Sequence, residues 1–214
     1  MIKLWGRKTS INVQKVMWAL AETGAAYERI DAGGTFGRVD TPEFETMNPN
    51  KLVPVLDDGG FVLWESNAIV RYLARRYGAG TLSPADAQQY ACADQWMEWA
   101  STMLYGDIIS VVFVGLIRTP ASERDNEAIK VSIRRAGERL GILDKHLAGR
   151  AYLLGDTLTM ADIGVGCMMY RYFSLDIARP KLPNVEAWYG RLRARPHYQT
   201  NAMVDYSTLR VTGA

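Results

Sequence analysis

The chain has 214 residues, 48% of them hydrophobic, and carries 25 basic against 23 acidic residues for a net charge of +2. That apolar content argues against disorder, and the near balance of charge, with no dense basic cluster, argues against a nucleic-acid partner. The length suits one large domain or two small ones.

The opening residues MIKLWGRKTS lack the apolar core of a secretory signal. The longest apolar run, Ile108 to Ile117, is interrupted by Ser110 and Gly115 and is too short to span a bilayer, so no membrane partner is expected. Only Cys92 and Cys167 occur, with no C-x-x-C, and a cytoplasmic protein without structural disulfides is the expectation.

Taken in order, Ile2-Lys3-Leu4-Trp5 alternates as a short strand that Gly6 ends. Val13, Val16, Met17 and Leu20 share one helical face, and Gly24 stops that helix. Tyr27 to Ile30 resumes as a strand, so a parallel pair joined by a crossover helix is predicted. A glycine-rich loop, Asp31 to Asp40, leads to Thr41-Pro42-Glu43, a helix start with proline at its first position.

The stretch Asn48 to Tyr77, NPNKLVPVLDDGGFVLWESNAIVRYLARRY, reads as loop, strand, tight turn, strand and helix. At its first corner Pro54 opens a strand, where its missing N–H does no harm. If the Val53-Pro54 bond is cis, Val53 can turn its N–H and C=O toward an extended ligand. At the second corner Ser66 lies at or near a helix N-cap, where free N–H groups and the helix dipole favour a carboxylate. Glu65 beside it offers a negative charge to an ammonium, and the pair matches an α-amino acid head group. The simpler reading is that Ser66 only caps the helix and Glu65 adds a favourable charge.

Beyond Gly78-Ala79-Gly80 everything reads as helix. Ser83-Pro84-Ala85-Asp86 restarts the chain as a capped helix, and a helical pattern runs from Ala85 to about Ile117. Ile129, Ile133, Ala136, Leu140, Leu143 and Leu147 step by four and three, with Lys130, Arg134, Arg135, Glu138 and Arg139 as the solvated face. Thr159-Met160-Ala161-Asp162 is a capping-box start, and the apolar span Met160 to Tyr170 predicts a buried central helix. Asn184 opens a further helix through Trp188 and Leu192, which Pro196 ends.

Asn48-Pro49, Val53-Pro54, the Asp-Gly-Gly turn, Glu65-Ser66-Asn67-Ala68-Ile69 and Tyr72-Leu73 closely resemble the glutathione-binding half of cytosolic glutathione transferases. Leu154-Gly155-Asp156 leading into Thr-x-x-Asp resembles that family's folding box, so the likeness extends over nearly the whole chain. The resemblance implies a thioredoxin-like βαβαββα domain over 1–78, a linker at 79–83 and an all-helical bundle over 84–214. It implies a cis bond at Val53-Pro54, backbone pairing of Val53 with the cysteinyl part of glutathione, and a γ-glutamyl head held by Glu65 and Ser66. It also implies a homodimer.

Glutathione chemistry needs a thiolate, and a thiol near its ordinary pKa of about 8.5 is mostly protonated at neutral pH. Hydrogen-bond donors must therefore meet the sulfur, and the place for them is the turn Gly6 to Val13. That turn holds Thr9, Ser10 and Asn12 but no cysteine, and Trp5 stands where tyrosine-using classes offer a tyrosine. Ser10 lies six residues before Val16, which resembles the serine-type pattern, and Asn12 matches an asparagine of some bacterial members. The resemblance thus implies that Ser10 donates to the sulfur, Asn12 assists and Thr9 can substitute; alternatively Ser10 or Asn12 is an ordinary N-cap.

One departure stands out. The family often has glycine and then a basic residue before Val-Pro, whereas here Lys51 and Leu52 occupy those positions. Lys51 either reaches the glycyl carboxylate or is simply exposed. The electrophile is expected between the domains, against Trp5, Arg7, Met103, Tyr105 and Ile109. His146 and His197 are isolated, and no metal is expected. The same site could instead serve a glutathione-dependent disulfide reductase or peroxidase. A third reading is a non-catalytic binding or assembly module, since fold does not fix function.

Overall fold

The computed structural model describes residues 1–211. Strands β1 (Ile2–Trp5) and β2 (Tyr27–Ile30) are parallel, joined by helix α1 (Ile11–Thr23). Ile2 faces Tyr27 and Trp5 faces Ile30. After α2 (Pro42–Met47) come β3 (Val55–Asp58), antiparallel to β1, and β4 (Phe61–Trp64), antiparallel to β3. The resulting four-stranded sheet has the order β2-β1-β3-β4, and α3 (Ser66–Tyr77) completes the expected βαβαββα unit.

Local chemistry accounts for these boundaries. Thr41 caps α2 by accepting from the Phe44 N–H at 3.3 Å, with Pro42 in the first turn. The β3–β4 hairpin turns on Gly59 and Gly60, at φ of 64° and 99°, angles that glycine adopts without the Cβ penalty. The Asp57 carboxylate accepts from the Gly60 N–H at 2.6 Å and closes the turn.

Helix α4 (Ala87–Trp99) is capped by Asp86, whose carboxylate accepts from the Gln89 N–H at 2.9 Å. Of the predicted start Ser83 to Asp86, only the last residue caps. The long helical pattern does continue past Trp99, but with wider turns over Ala100–Leu104 and Gly106–Arg118, and the arms Ala87–Leu104 and Gly106–Arg118 are bent by 43° from each other. Ser101 and Thr102 donate back to the Met97 and Glu98 carbonyls at 2.9 and 2.8 Å, and such back-bonding bends a helix. No single helix among the described residues is long and apolar enough to cross a membrane.

Helix α5 (Asn126–His146) matches its predicted face, but not all its charges are solvated. Lys130 pairs with Glu127 and Arg134 with Glu138 at the surface, and Arg135 stays exposed while reaching the Asp107 carboxylate at 3.3 Å, whereas Arg139 is largely withdrawn from solvent against that buried carboxylate. The expected helix from Met160 to Tyr170 is two: α6 (Met160–Gly166) and α7 (Met169–Ser174). The break follows Gly164 and Gly166, poor helix formers. A Cβ on Gly166 would lie 2.6 Å from Leu192 Cδ1, so packing selects glycine there at the expense of helix continuity. Helix α8 (Pro183–Arg193) begins one residue before Asn184, and Pro196 opens α9 (Pro196–Asn201) as well as following α8.

Every residue of α6 is buried. Its Asp162 accepts from the N–H groups of Leu153 (3.0 Å) and Thr159 (2.9 Å) and from the Trp188 indole (2.9 Å). One continuous apolar core runs from Leu4, Val16 and Trp18 through Met97 and Ile163 to Trp188 and Leu192. The sheet unit and the helical unit therefore share a core, with α1 and α3 packed on α6.

Candidate functional site

The β4–α3 corner is built around Glu65, which holds φ 71° and ψ 112°. A non-glycine residue there costs on the order of 1–3 kcal/mol, a strain that concentrates at functional sites. The consequence is local: Ile69 is the first residue of α3 to bond back, to the Glu65 carbonyl at 2.9 Å. The N–H groups of Ser66, Asn67 and Ala68 are left without intrahelical acceptors. Ser66 is thus the first helical residue, not the cap, and it is buried while Glu65 is exposed.

This corner forms one wall of a cavity of about 430 Å³ that also meets Asn12, Lys15, Arg71 and Tyr105. Lys15 is the notable member. It is only 4% exposed, donates to the Asn67 side-chain carbonyl at 3.3 Å, and sits 5.6 Å from the Tyr105 ring centre. Burial lowers its pKa below the usual lysine value, with Cys167 and Glu65 opposing that shift. Asn67 is itself fixed by donating to the Ser101 hydroxyl at 2.8 Å, and Arg71 is held by Asp94 and Glu98.

Tyr105 also borders a second, smaller cavity of about 120 Å³ that contains Thr9, Ser10, Arg7, Ile109 and Arg171. Ser10 occupies the N-cap position of α1 by its backbone, accepting from the Gln14 N–H at 2.9 Å, but its hydroxyl makes no capping bond. Among the described residues the hydroxyl makes no hydrogen bond, which leaves it available to a ligand. Arg171 fixes the turn by donating to the Thr9 carbonyl at 2.7 Å. Burial raises the Tyr105 phenol above its usual pKa, against the Arg171 charge and the Asn12 side-chain amide.

The structure divides the predicted residues between these spaces. Asn12, Glu65 and Ser66 line the larger cavity, while Ser10 and Thr9 line the smaller one with Arg7, Tyr105 and Ile109. The Val53-Pro54 bond is cis, and among the described residues the Val53 N–H and carbonyl have no hydrogen-bond partner. Leu52 is 64% exposed, and its carbonyl accepts from the Asn48 side chain at 2.8 Å. Lys51 turns to Glu45, 3.2 Å away, and lines neither cavity. Trp5 packs with Ala32, Phe44 and Val55, and Met103 is solvent-exposed, so both stand outside the cavities. Lys15, Asn67, Arg71 and Arg171 were not singled out by sequence reasoning. For Lys15 a signal exists, since it lies three residues after Asn12 and shares its helical face.

The glutathione S-transferase N-terminal domain model matches residues 1–75, and the C-terminal domain model matches residues 90–196. The chain belongs to the glutathione S-transferase family. Glutathione S-transferase GstB of Escherichia coli strain K12 is 39% identical over 97% of this chain and 100% of its own. Glutathione S-transferase 3 of Zea mays is 33% identical over 92% of this chain and 91% of its own. Among solved structures, the theta-class glutathione S-transferase of Xanthomonas axonopodis pv. citri with glutathione bound superposes with a TM-score of 0.90. It is 45% identical and covers 95% of this chain and 98% of its own.

Proposed function

We propose that this glutathione transferase joins the sulfur of glutathione to electrophilic small molecules. The observation that carries the reading is the pairing of two helix starts. The α3 start offers free N–H groups beside the Glu65 carboxylate, which suits the zwitterionic γ-glutamyl head. The α1 start offers the uncommitted Ser10 hydroxyl and the Asn12 amide, which suits a thiolate. In this reading Ser10 donates to the sulfur, Asn12 assists, Thr9 can substitute, and Val53 pairs with the cysteinyl backbone. Lys15 adds a buried positive charge to the head-group cavity.

The sulfur loses its proton to solvent and attacks as the thiolate, its charge matched by donors that need no reorganisation. Holding both reactants together supplies the remainder of the rate gain. Neither cysteine lines the two cavities, and Cys92 is exposed on α4. Cys167 is buried, donates to the Ile11 carbonyl at 3.6 Å, and burial pushes its pKa up to about 12.

We read 1–78 and 84–214 as the two units, joined by 79–83. We also propose a homodimer, in keeping with the exposed Phe61 and Trp64 on β4, one of the two edge strands of the sheet. Static light scattering at twice the chain mass is the expected result, and a monomer at micromolar concentration would remove the dimer from the reading.

The deciding experiment is an ultraviolet titration of the glutathione thiolate bound to the protein. The expected pKa lies at least one unit below that of free glutathione, roughly 1.4 kcal/mol of preference for the charged form. The Ser10→Ala/Asn12→Ala double variant should return it toward the free value and lower kcat/KM roughly 10²–10³-fold. Tight binding with an unshifted pKa would overturn the transferase reading.

A further inference from the structure

Next to the smaller cavity lies an outer cleft of about 460 Å³, and Arg7, Thr9, Arg118 and Leu209 border both. The two spaces form one track leading inward to Ser10. Its polar lining is one-sided. Arg118 stands at the exposed rim, Arg7 in the middle and Arg171 at the inner end, with Lys8 and Arg29 on the outer wall. Among the described residues Asp31 is the one acid bordering the track, and Arg29 already neutralises it.

Among the described residues, Arg7, Arg118, Arg171 and Lys8 make no ion pair. Arg171 is 4% exposed, yet its guanidinium meets only the Thr9 carbonyl at 2.7 Å and the Phe113 ring at 4.1 Å. Arg7 lies across the β2–α2 loop, where a Cβ on Gly33 would come within 3.0 Å of its Nη1. Burial and the neighbouring Arg118 both lower the Arg7 pKa, which marks two like charges facing one cleft. Guanidinium groups stay protonated, so this repulsion is relieved by an anion and not by proton loss. The smaller cavity also has apolar lining, from Ile109, Phe113 and Val114 on the helical stretch that ends at Arg118.

We propose that the electrophile of this enzyme carries a carboxylate, seated between Arg7 and Arg118, with its carbon framework against Ile109, Phe113 and Val114. This substrate class rests on the transferase reading. For a chloroarene carboxylate the glutathione thiolate attacks the carbon bearing chlorine. The C–S bond forms, the C–Cl bond breaks, and chloride leaves with the bonding pair. The thiol proton has already gone to solvent, and the carboxylate is unchanged. Arginine suits such recognition because its planar fork binds a carboxylate through two parallel N–H donors.

The test compares 4-chloro-3,5-dinitrobenzoate with its methyl ester, which share ring and leaving group but differ in charge. Each kcat/KM is divided by the uncatalysed second-order rate constant with glutathione. The acid-to-ester ratio of these enhancements should be roughly tenfold or more at low salt and should fall as salt rises. Arg118→Gln and Arg7→Gln should each reduce that ratio about tenfold, and Arg118→Lys should retain part of it. Because Arg118 is exposed, its variants keep the inference testable should Arg7 variants fold poorly.

A ratio at or below one, or one that the arginine variants leave unchanged, overturns the carboxylate assignment. The bound-thiolate pKa, measured in the same samples, separates the failures. A depressed pKa with no acid preference removes this inference alone. An unshifted pKa with neither compound turned over removes the transferase reading and this inference together.

Discussion

At the scale of the residue, Lys15 sets a conflict between binding and stability. An ammonium 4% exposed, with one neutral acceptor at 3.3 Å, is poorly compensated for its lost hydration. Its lowered pKa has a direct sign: the folded state disfavours the charge, so Lys15 destabilises the fold at neutral pH and less so as pH rises. Lys15→Met should therefore raise Tm by a few degrees, about 1 kcal/mol, while raising the Kd for glutathione severalfold. Calorimetry on one preparation would read both, and a Tm that falls along with affinity would refute the argument. The sequence made Ser10, Asn12, Glu65 and Ser66 legible because their types suit helix starts and their order matches a family motif. Lys15 and Arg171 were not legible in that way. A single basic residue on a helix reads as solvated, and only the packing of α1 and α7 against the rest of the chain reveals its burial.

At the scale of the element, the ion pair of Glu22 and Arg195 joins α1 to the junction of α8 and α9. The Glu22 side chain is 6% exposed and its carboxylate lies 2.6 Å from Arg195 Nη2, with the Trp18 indole donating at 2.9 Å. Burial alone would raise its pKa, but the hydrogen bonds from Arg195 and Trp18 outweigh it and hold the carboxyl below the usual 4.5. A carboxylate of depressed pKa contributes stability above the unfolded value and loses it as pH falls through the folded one. Glu22→Gln should therefore cost roughly 1–2 kcal/mol at pH 7. The gap from wild type should narrow as pH drops below 4.5, as urea unfolding at a series of pH values would show. A gap constant from pH 7 to pH 3 would sink the assignment. The same scale shows where periodicity succeeds. The hairpin, the capping at Thr41 and the face of α5 follow from short-range chemistry, so they were readable. The split of α6 from α7 was not, because Gly166 answers to Leu192 and not to its own turn.

At the scale of the whole molecule, the cavity proposed to hold glutathione draws its walls from elements distant in sequence. Asn12 and Lys15 come from α1, Ser66 and Arg71 from α3, and Glu98 and Tyr105 from α4 and its continuation. A ligand that spans them is bound by the folded chain and not by the unfolded one, so binding adds directly to stability. At one hundred times Kd the gain is about 2.7 kcal/mol, which for a chain of this size corresponds to a Tm rise of roughly 5–10 °C. Scanning calorimetry at fixed protein concentration, with and without glutathione, measures it; fixing the concentration keeps any dimer equilibrium from entering. The Glu65→Gln/Ser66→Ala variant should lose most of the rise because it removes the head-group charge and the buried hydroxyl together. Full retention of the rise in that variant would place glutathione somewhere other than the α3 start. A rise lost in that variant but retained in Ser10→Ala would separate the grip on the head group from activation of the sulfur. That division follows from the geometry, since Ser66 and Ser10 line different cavities that share Tyr105.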